Sequence, residues 1–210
     1  MFEAMAKLAG AVTREVRDAV REGAPVRVVV AARDYDTSLE DLWDAITSAE
    51  RLKRWFAPVS GEFRLGGRYR IEGNASGIVT RCEPPRALEL TWEFGGGVSW
   101  LEVSLREMGD ATRLELRHIA PIDSHWETYG PGATGVGWDL GLMGLARHFE
   151  NPAAERPPEA DTAWISSSEA KHFMALSAAD WARADVAAGA DDASARAAAE
   201  ATRKFYCGET

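Results

Sequence analysis

The sequence predicts an α+β fold in which a curved antiparallel β-sheet wraps around one long helix, with an extra helix at the amino terminus and an α-helical extension at the carboxy terminus. Three observations lead there. Residues 62–120 alternate strand-like runs with turn signals. Residues 132–149 place large apolar side chains at helical spacing. The chain beyond residue 162 is alanine-rich and carries few large apolar residues.

Taken in order, Leu8, Val12, Val16 and Val20 recur every four residues with Arg, Glu and Asp between them. That stripe predicts an amphipathic helix over residues 2–22, ended by Gly23 and Pro25. Residues 26–35 are β-branched and read as a first strand. Thr37 followed three residues later by Glu40 reads as a capping box opening a short helix that carries Leu39, Leu42, Trp43 and Ile46. A second short helix over AERLKRWF stops before Pro58 and Gly61.

The meander follows. Its turns fall at Gly66-Gly67, Pro84-Pro85, Gly95-Gly96-Gly97 and Met108-Gly109-Asp110, and it stops at Pro121. Leu88, Leu90, Trp92 and Phe94, then Leu101, Val103 and Leu105, then Leu114, Leu116 and His118 alternate with polar residues, so one face of the sheet is apolar and needs a cover. Trp138, Leu142, Leu145 and Phe149 supply it from one face of the long helix. Five glycines within that helix lower its intrinsic propensity by up to about 1 kcal/mol each, so packing must compensate. Beyond a proline-rich linker at 151–161, helices are expected near 167–175, 178–188 and 191–206. Trp164, Phe173, Leu176, Trp181, Phe205 and Tyr206 are too few to build a separate core, so the tail should fold back on the rest. The division is therefore an amino-terminal helix (1–24), a central domain (25–150), and a linker with its helical extension (151–210). Loss of residues 160–210 should leave a folded but less stable domain.

Composition excludes some functions. A formal net charge of −9 argues against nucleic acid as a partner, because phosphate backbones are bound mainly by Lys and Arg. No stretch approaches the roughly 20 apolar residues of a membrane span, and the amino terminus has no signal-peptide pattern, so a cytoplasmic location is expected. Cys82 and Cys207 fit neither a disulfide framework nor a metal site, and His118, His125, His148 and His172 form no metal-binding motif. No metal or cofactor is expected.

The helix, strand, two short helices, meander and long helix together resemble the helix-grip superfamily known as SRPBCC, which includes START domains and the birch-pollen allergen fold. One branch is closer. Trp43, Arg54-Trp55-Phe56, Gly66-Gly67-Arg68, Gly77 with Val79, Glu83-Pro84-Pro85-Arg86, Thr91-Trp92, Thr112-Arg113-Leu114, His118 and Gly137-Trp138 are similar in order and spacing to the family of the activator of the ninety-kilodalton heat-shock protein ATPase. The resemblance covers about 27–150.

This resemblance implies a cavity between sheet and long helix. The residues expected to line it are Trp55, Leu90, Trp92, Leu116, His118, Trp138 and Leu142, with Trp126 and Tyr129 as an aromatic wall in a loop that caps its mouth. His118 is either a satisfied core histidine or a polar contact for a ligand. Asp123-Ser124-His125-Trp126-Glu127 holds the residue types of a hydrolase triad, but triad members come from separate elements, and there is no G-x-S-x-G elbow. Three functions stay open: non-catalytic binding of a hydrophobic small molecule such as a lipid or a polyketide-like aromatic; an interaction module that stimulates a chaperone; and an enzyme using His118 with Arg81 or Asp139. No catalytic residue is assigned, and either a monomer or a homodimer fits.

Overall fold

The structure, a computed structural model, describes residues 2–153 and 162–209. From residue 154 on, the expected linker lies outside them. Helix α1 (Phe2–Gly10) leads into β1 (Thr13–Arg21) and β2 (Ala24–Tyr35), and helices α2 (Leu39–Thr47) and α3 (Ala49–Trp55) follow. Strands β3 (Val59–Gly61), β4 (Arg68–Ile71), β5 (Ser76–Glu83), β6 (Ala87–Phe94), β7 (Gly97–Met108) and β8 (Ala111–Pro121) form the meander. Helices α4 (Ser124–Tyr129), α5 (Gly132–Glu150), α6 (Thr162–Ile165), α7 (Ser168–Ala187) and α8 (Asp192–Cys207) complete the described chain.

All eight strands join one antiparallel sheet in the order β1-β2-β8-β7-β6-β5-β4-β3. After β2 the chain crosses through α2 and α3 to the far edge and meanders back until β8 pairs with β2. This is the predicted sheet around a long helix.

The amino terminus departs from expectation. The helix ends at Gly10, and residues 13–21 form an edge strand, because Glu22 and Gly23 (φ 53° and 81°) turn the chain tightly back onto β2. Val12 and Val16 are buried while Val20 is exposed. A spacing of four keeps residues on one side in a strand as well as in a helix, so the valine stripe was compatible with both.

Two smaller corrections concern helix ends. Ser38, one residue after Thr37, caps α2 by accepting from the Asp41 amide, while the Thr37 hydroxyl donates to the Asp41 carboxylate at 2.6 Å. In the tail, the break expected near 176 is absent and α7 runs unbroken through Ser177, whose hydroxyl donates to Asp139.

Helix α7 packs against α5 and β1. Phe173, Met174 and Trp181 of α7 are fully buried, the last two in the main core. Glycines of α5 make the approach possible. A Cβ at Gly135 would come within 2.3 Å of the Trp181 ring, and one at Gly144 within 2.6 Å of the Trp55 carbonyl. Gly141 differs, since its added Cβ would meet only the Phe56 ring at 3.9 Å. Alanine at 135 or 144 should therefore destabilise the protein by about 1–3 kcal/mol through overpacking. At 141 it should stabilise by up to about 1 kcal/mol through helix propensity. Urea unfolding of the three variants checks this, and equal effects at all three positions would contradict it.

Candidate functional site

Between the concave face of the sheet and α5 lies a cavity of about 90 Å³. Leu88, Leu90 and Trp92 of β6, Leu101 and Val103 of β7, and Leu114 and Leu116 of β8 form its sheet wall. Trp138, Gly141, Leu142 and Leu145 of α5 face them, and Trp55 and Phe56 close one side. The walls are apolar because their polar atoms bond elsewhere. Trp55 Nε1 donates to the Ala45 carbonyl at 2.9 Å, and the Tyr69 hydroxyl donates to the Thr91 carbonyl at 2.8 Å. A space lined this way by apolar side chains favours an apolar occupant.

An aromatic barrier closes one end. Trp92 and Trp138 meet edge to face with centroids 5.2 Å apart, and Phe56 stacks on Trp138 at 6.3 Å. Beyond it lie two clefts of about 200 and 330 Å³ that share Trp92, His118, His125 and Thr134. The second also borders on Phe56, Trp138, Phe205 and Tyr206.

His118 sits behind this barrier with both nitrogens engaged. Trp138 Nε1 donates to its Nδ1 at 3.2 Å, so the neutral ring carries its proton on Nε2, which faces Ser99 Oγ at 2.9 Å. The Ser99 hydroxyl in turn donates to the Trp92 carbonyl. Burial pushes the imidazole pKa down to about 4. An unfolded histidine titrates near 6.5, so the unfolded chain binds an extra proton between those values. Stability is thus present in full above about pH 6.5 and falls as pH drops towards 4, by about 3 kcal/mol in total from this group. In urea unfolding at pH 7 and pH 4.5, His118→Gln should lose less stability on acidification than the parent. Equal losses would show that the ring is not held neutral.

Of the residues read from the sequence, Trp55, Leu90, Trp92, Leu116, Trp138 and Leu142 line the central cavity. His118 and Trp126 line the adjoining cleft instead. Tyr129 lines none of these spaces. Its ring lies between His125 at 4.8 Å and Phe205 at 5.5 Å, because α8 packs against α4 there and Thr202 donates to the Tyr129 carbonyl. The expected capping loop is the helix α4, started by Asp123, whose side chain accepts from the Trp126 amide. Phe56, Phe63, Tyr69 and Gly141 line the cavity although the sequence reading did not place them there. The alternation of Tyr69 and Ile71 in β4 was the signal for one of them.

The proposed acid and base partners do not converge. Arg81 is on the outer face, paired with Glu83 and Glu89. Asp139 is buried, bonded to Arg14, Ser177 and Trp181. Burial raises its carboxyl pKa against the opposing pull of Arg14. Among the described residues no group of three or more His, Cys, Asp or Glu could hold a metal ion, and no helix is long and apolar enough to cross a membrane.

Fold and cavity together define a helix-grip protein. The sequence profile of the family described as Activator of Hsp90 ATPase homolog 1-like protein matches residues 36–150, and the chain belongs to that family. It is similar to CalU16 from Micromonospora echinospora. The CalU16 crystal structure shares 29% identity at a TM-score of 0.66 over 83% of this chain and 98% of that one. The solution structure gives 28% and 0.70 over 85% and 97%. A conserved protein of unknown function, EF2215 from Enterococcus faecalis, shows the same fold at 17% identity and a TM-score of 0.61, over 89% of this chain and 96% of that one. These coverages exceed the span of the family match, so part of what lies outside 36–150 has counterparts in CalU16 and EF2215. No protein of curated function matches the sequence.

Proposed function

We propose that the chain binds a small apolar molecule in the cavity between the sheet and α5 without chemically changing it. The observation that carries this reading is an apolar space in which Trp55 and Tyr69 turn their polar atoms to backbone carbonyls and Trp138 turns its indole N–H to His118. Its size sets the occupant. About 90 Å³ is well below the roughly 300–1,000 Å³ of drug-sized pockets. A compact aromatic fits if Phe56 and Trp92 rotate beside the braced Trp138 to join the inner cavity to the outer clefts. The Thr134 hydroxyl, buried without a partner beside those clefts, would satisfy a polar group on such a ligand. His118, neutral and bonded at both nitrogens, serves as a brace for Trp138 in this reading.

A chaperone-stimulating role, which the family description suggests, needs an exposed apolar patch. Phe173 and Trp181 are fully buried, which leaves Phe205 as the tail's exposed aromatic among the described residues. The cavity reading is the better supported.

Calorimetric titration with naphthalene tests it. The parent should bind saturably, and Gly141→Leu, whose side chain would enter the cavity, should bind at least about tenfold more weakly, a loss near 1.4 kcal/mol. No binding by the parent, or the same affinity in both, would reject the proposal.

A further inference from the structure

At the opposite end of α5 from the aromatic barrier lies a cleft of about 520 Å³, bordered by α1, β2 and the ends of α3 and α5. Among the described residues its ionisable lining is Lys7, Arg33, Arg54, Arg147 and His148 against one carboxylate, Glu150. In a chain of net charge −9, such a concentration of positive charge is local.

Part of it has an ordinary explanation. Arg54, Arg147 and His148 fall in the last turns of α3 and α5, where the helix dipole favours cations. Arg54 also donates to the Pro152 carbonyl.

Arg33 does not fit that explanation. It lies in β2 directly opposite Leu114, in the row Val29, Ala31, Arg33 and Tyr35 that faces the interior, where its neighbours are apolar. The guanidinium lies 5.5 Å from the Tyr35 ring centroid. Its Nη1 is buried with no hydrogen-bond partner, and among the described residues it belongs to no ion pair. A buried guanidinium N–H left unpaired is costly and marks a place for an anion. His148 adds a donor, since its Nε2 accepts from Arg51 at 3.2 Å and the neutral ring therefore holds its proton on Nδ1.

We propose that this cleft binds a phosphate-type oxyanion, either free phosphate or the phosphate group of a small molecule, with Arg33 as its anchoring contact and Lys7 closing over it from α1. Guanidinium groups bind tetrahedral oxyanions through charge-assisted hydrogen bonds, and the donor-rich lining matches that chemistry.

Phosphorus NMR and thermal unfolding, with inorganic phosphate compared with chloride at equal ionic strength, test the site. The parent should bind phosphate saturably and gain melting temperature with it. Arg33→Met should fold, lose at least tenfold in phosphate affinity, and keep only the general stabilisation that phosphate gives any protein. Lys7→Gln, at an exposed position, should weaken binding by a smaller factor and guards against a folding defect in the first variant. A phosphate ester of a small alcohol that binds more tightly than phosphate would point to a phosphorylated metabolite, and equal or weaker binding to the free ion. Non-saturating behaviour, or an unchanged phosphate response in both variants, would overturn the proposal.

Discussion

Replacement of Arg14 by Met is expected to cost about 3–5 kcal/mol, a large part of the roughly 5–15 kcal/mol that holds a domain folded. Arg14 of β1 reaches into the space between α5 and α7 with its side chain only 5% exposed, and its Nε donates to Asp139 Oδ2 at 2.8 Å. Its other nitrogens bond Asp180 and the carbonyls of Ala9 and Val12. The same carboxylate oxygen accepts from Ser177 and from Trp181 Nε1, while Oδ1 has no partner. Removing the guanidinium leaves Asp139 buried with its charge uncompensated. The double variant Arg14→Met with Asp139→Asn should recover part of the loss, because Asn still accepts from Ser177 and Trp181 but carries no charge. Urea unfolding measures both. A loss under about 1 kcal/mol for the single variant would place the pair among ion pairs of little net worth.

Deletion of residues 160–210 is expected to abolish cooperative unfolding, a larger effect than the alanine-rich sequence suggests. It removes Phe173, Met174 and Trp181, each worth about 1.5–3 kcal/mol when buried. It also takes two of the three donors from Asp139 and uncovers that carboxylate, leaving it paired with Arg14 alone. Together these are comparable with the roughly 5–15 kcal/mol that holds a typical domain folded. Circular dichroism on heating should show no sigmoidal transition, and a hydrophobic dye should bind strongly. A truncated protein that melts sharply near the parent's temperature would show the tail to be dispensable.

The meander and the long helix were legible because alternation in β6, β7 and β8 and the 3.6-residue period in α5 run long enough to leave little choice. The strand at 13–21 was not, because Val12, Val16 and Val20 satisfy both periods, and only the turn at Glu22-Gly23 decides between them. Similar logic applies to the site. Leu90, Trp92, Leu116, Trp138 and Leu142 could be found by phase, since a residue's parity in a strand or angle on a helix states which side it faces. Tyr129 could not, because its direction depends on where α8 docks. The Arg14, Asp139, Ser177 and Trp181 cluster joins residues far apart in sequence and belongs to no local motif, so only the folded arrangement shows it.

The claim that the space between sheet and helix is a binding site is tested most directly by methyl and indole NMR during addition of naphthalene. The signals of Leu90, Leu116, Leu142 and the Trp138 indole should shift together and saturate, while those of Leu65 and Val20, 65% and 74% exposed, stay in place. Shifts confined to exposed methyls, or none at all, would contradict it.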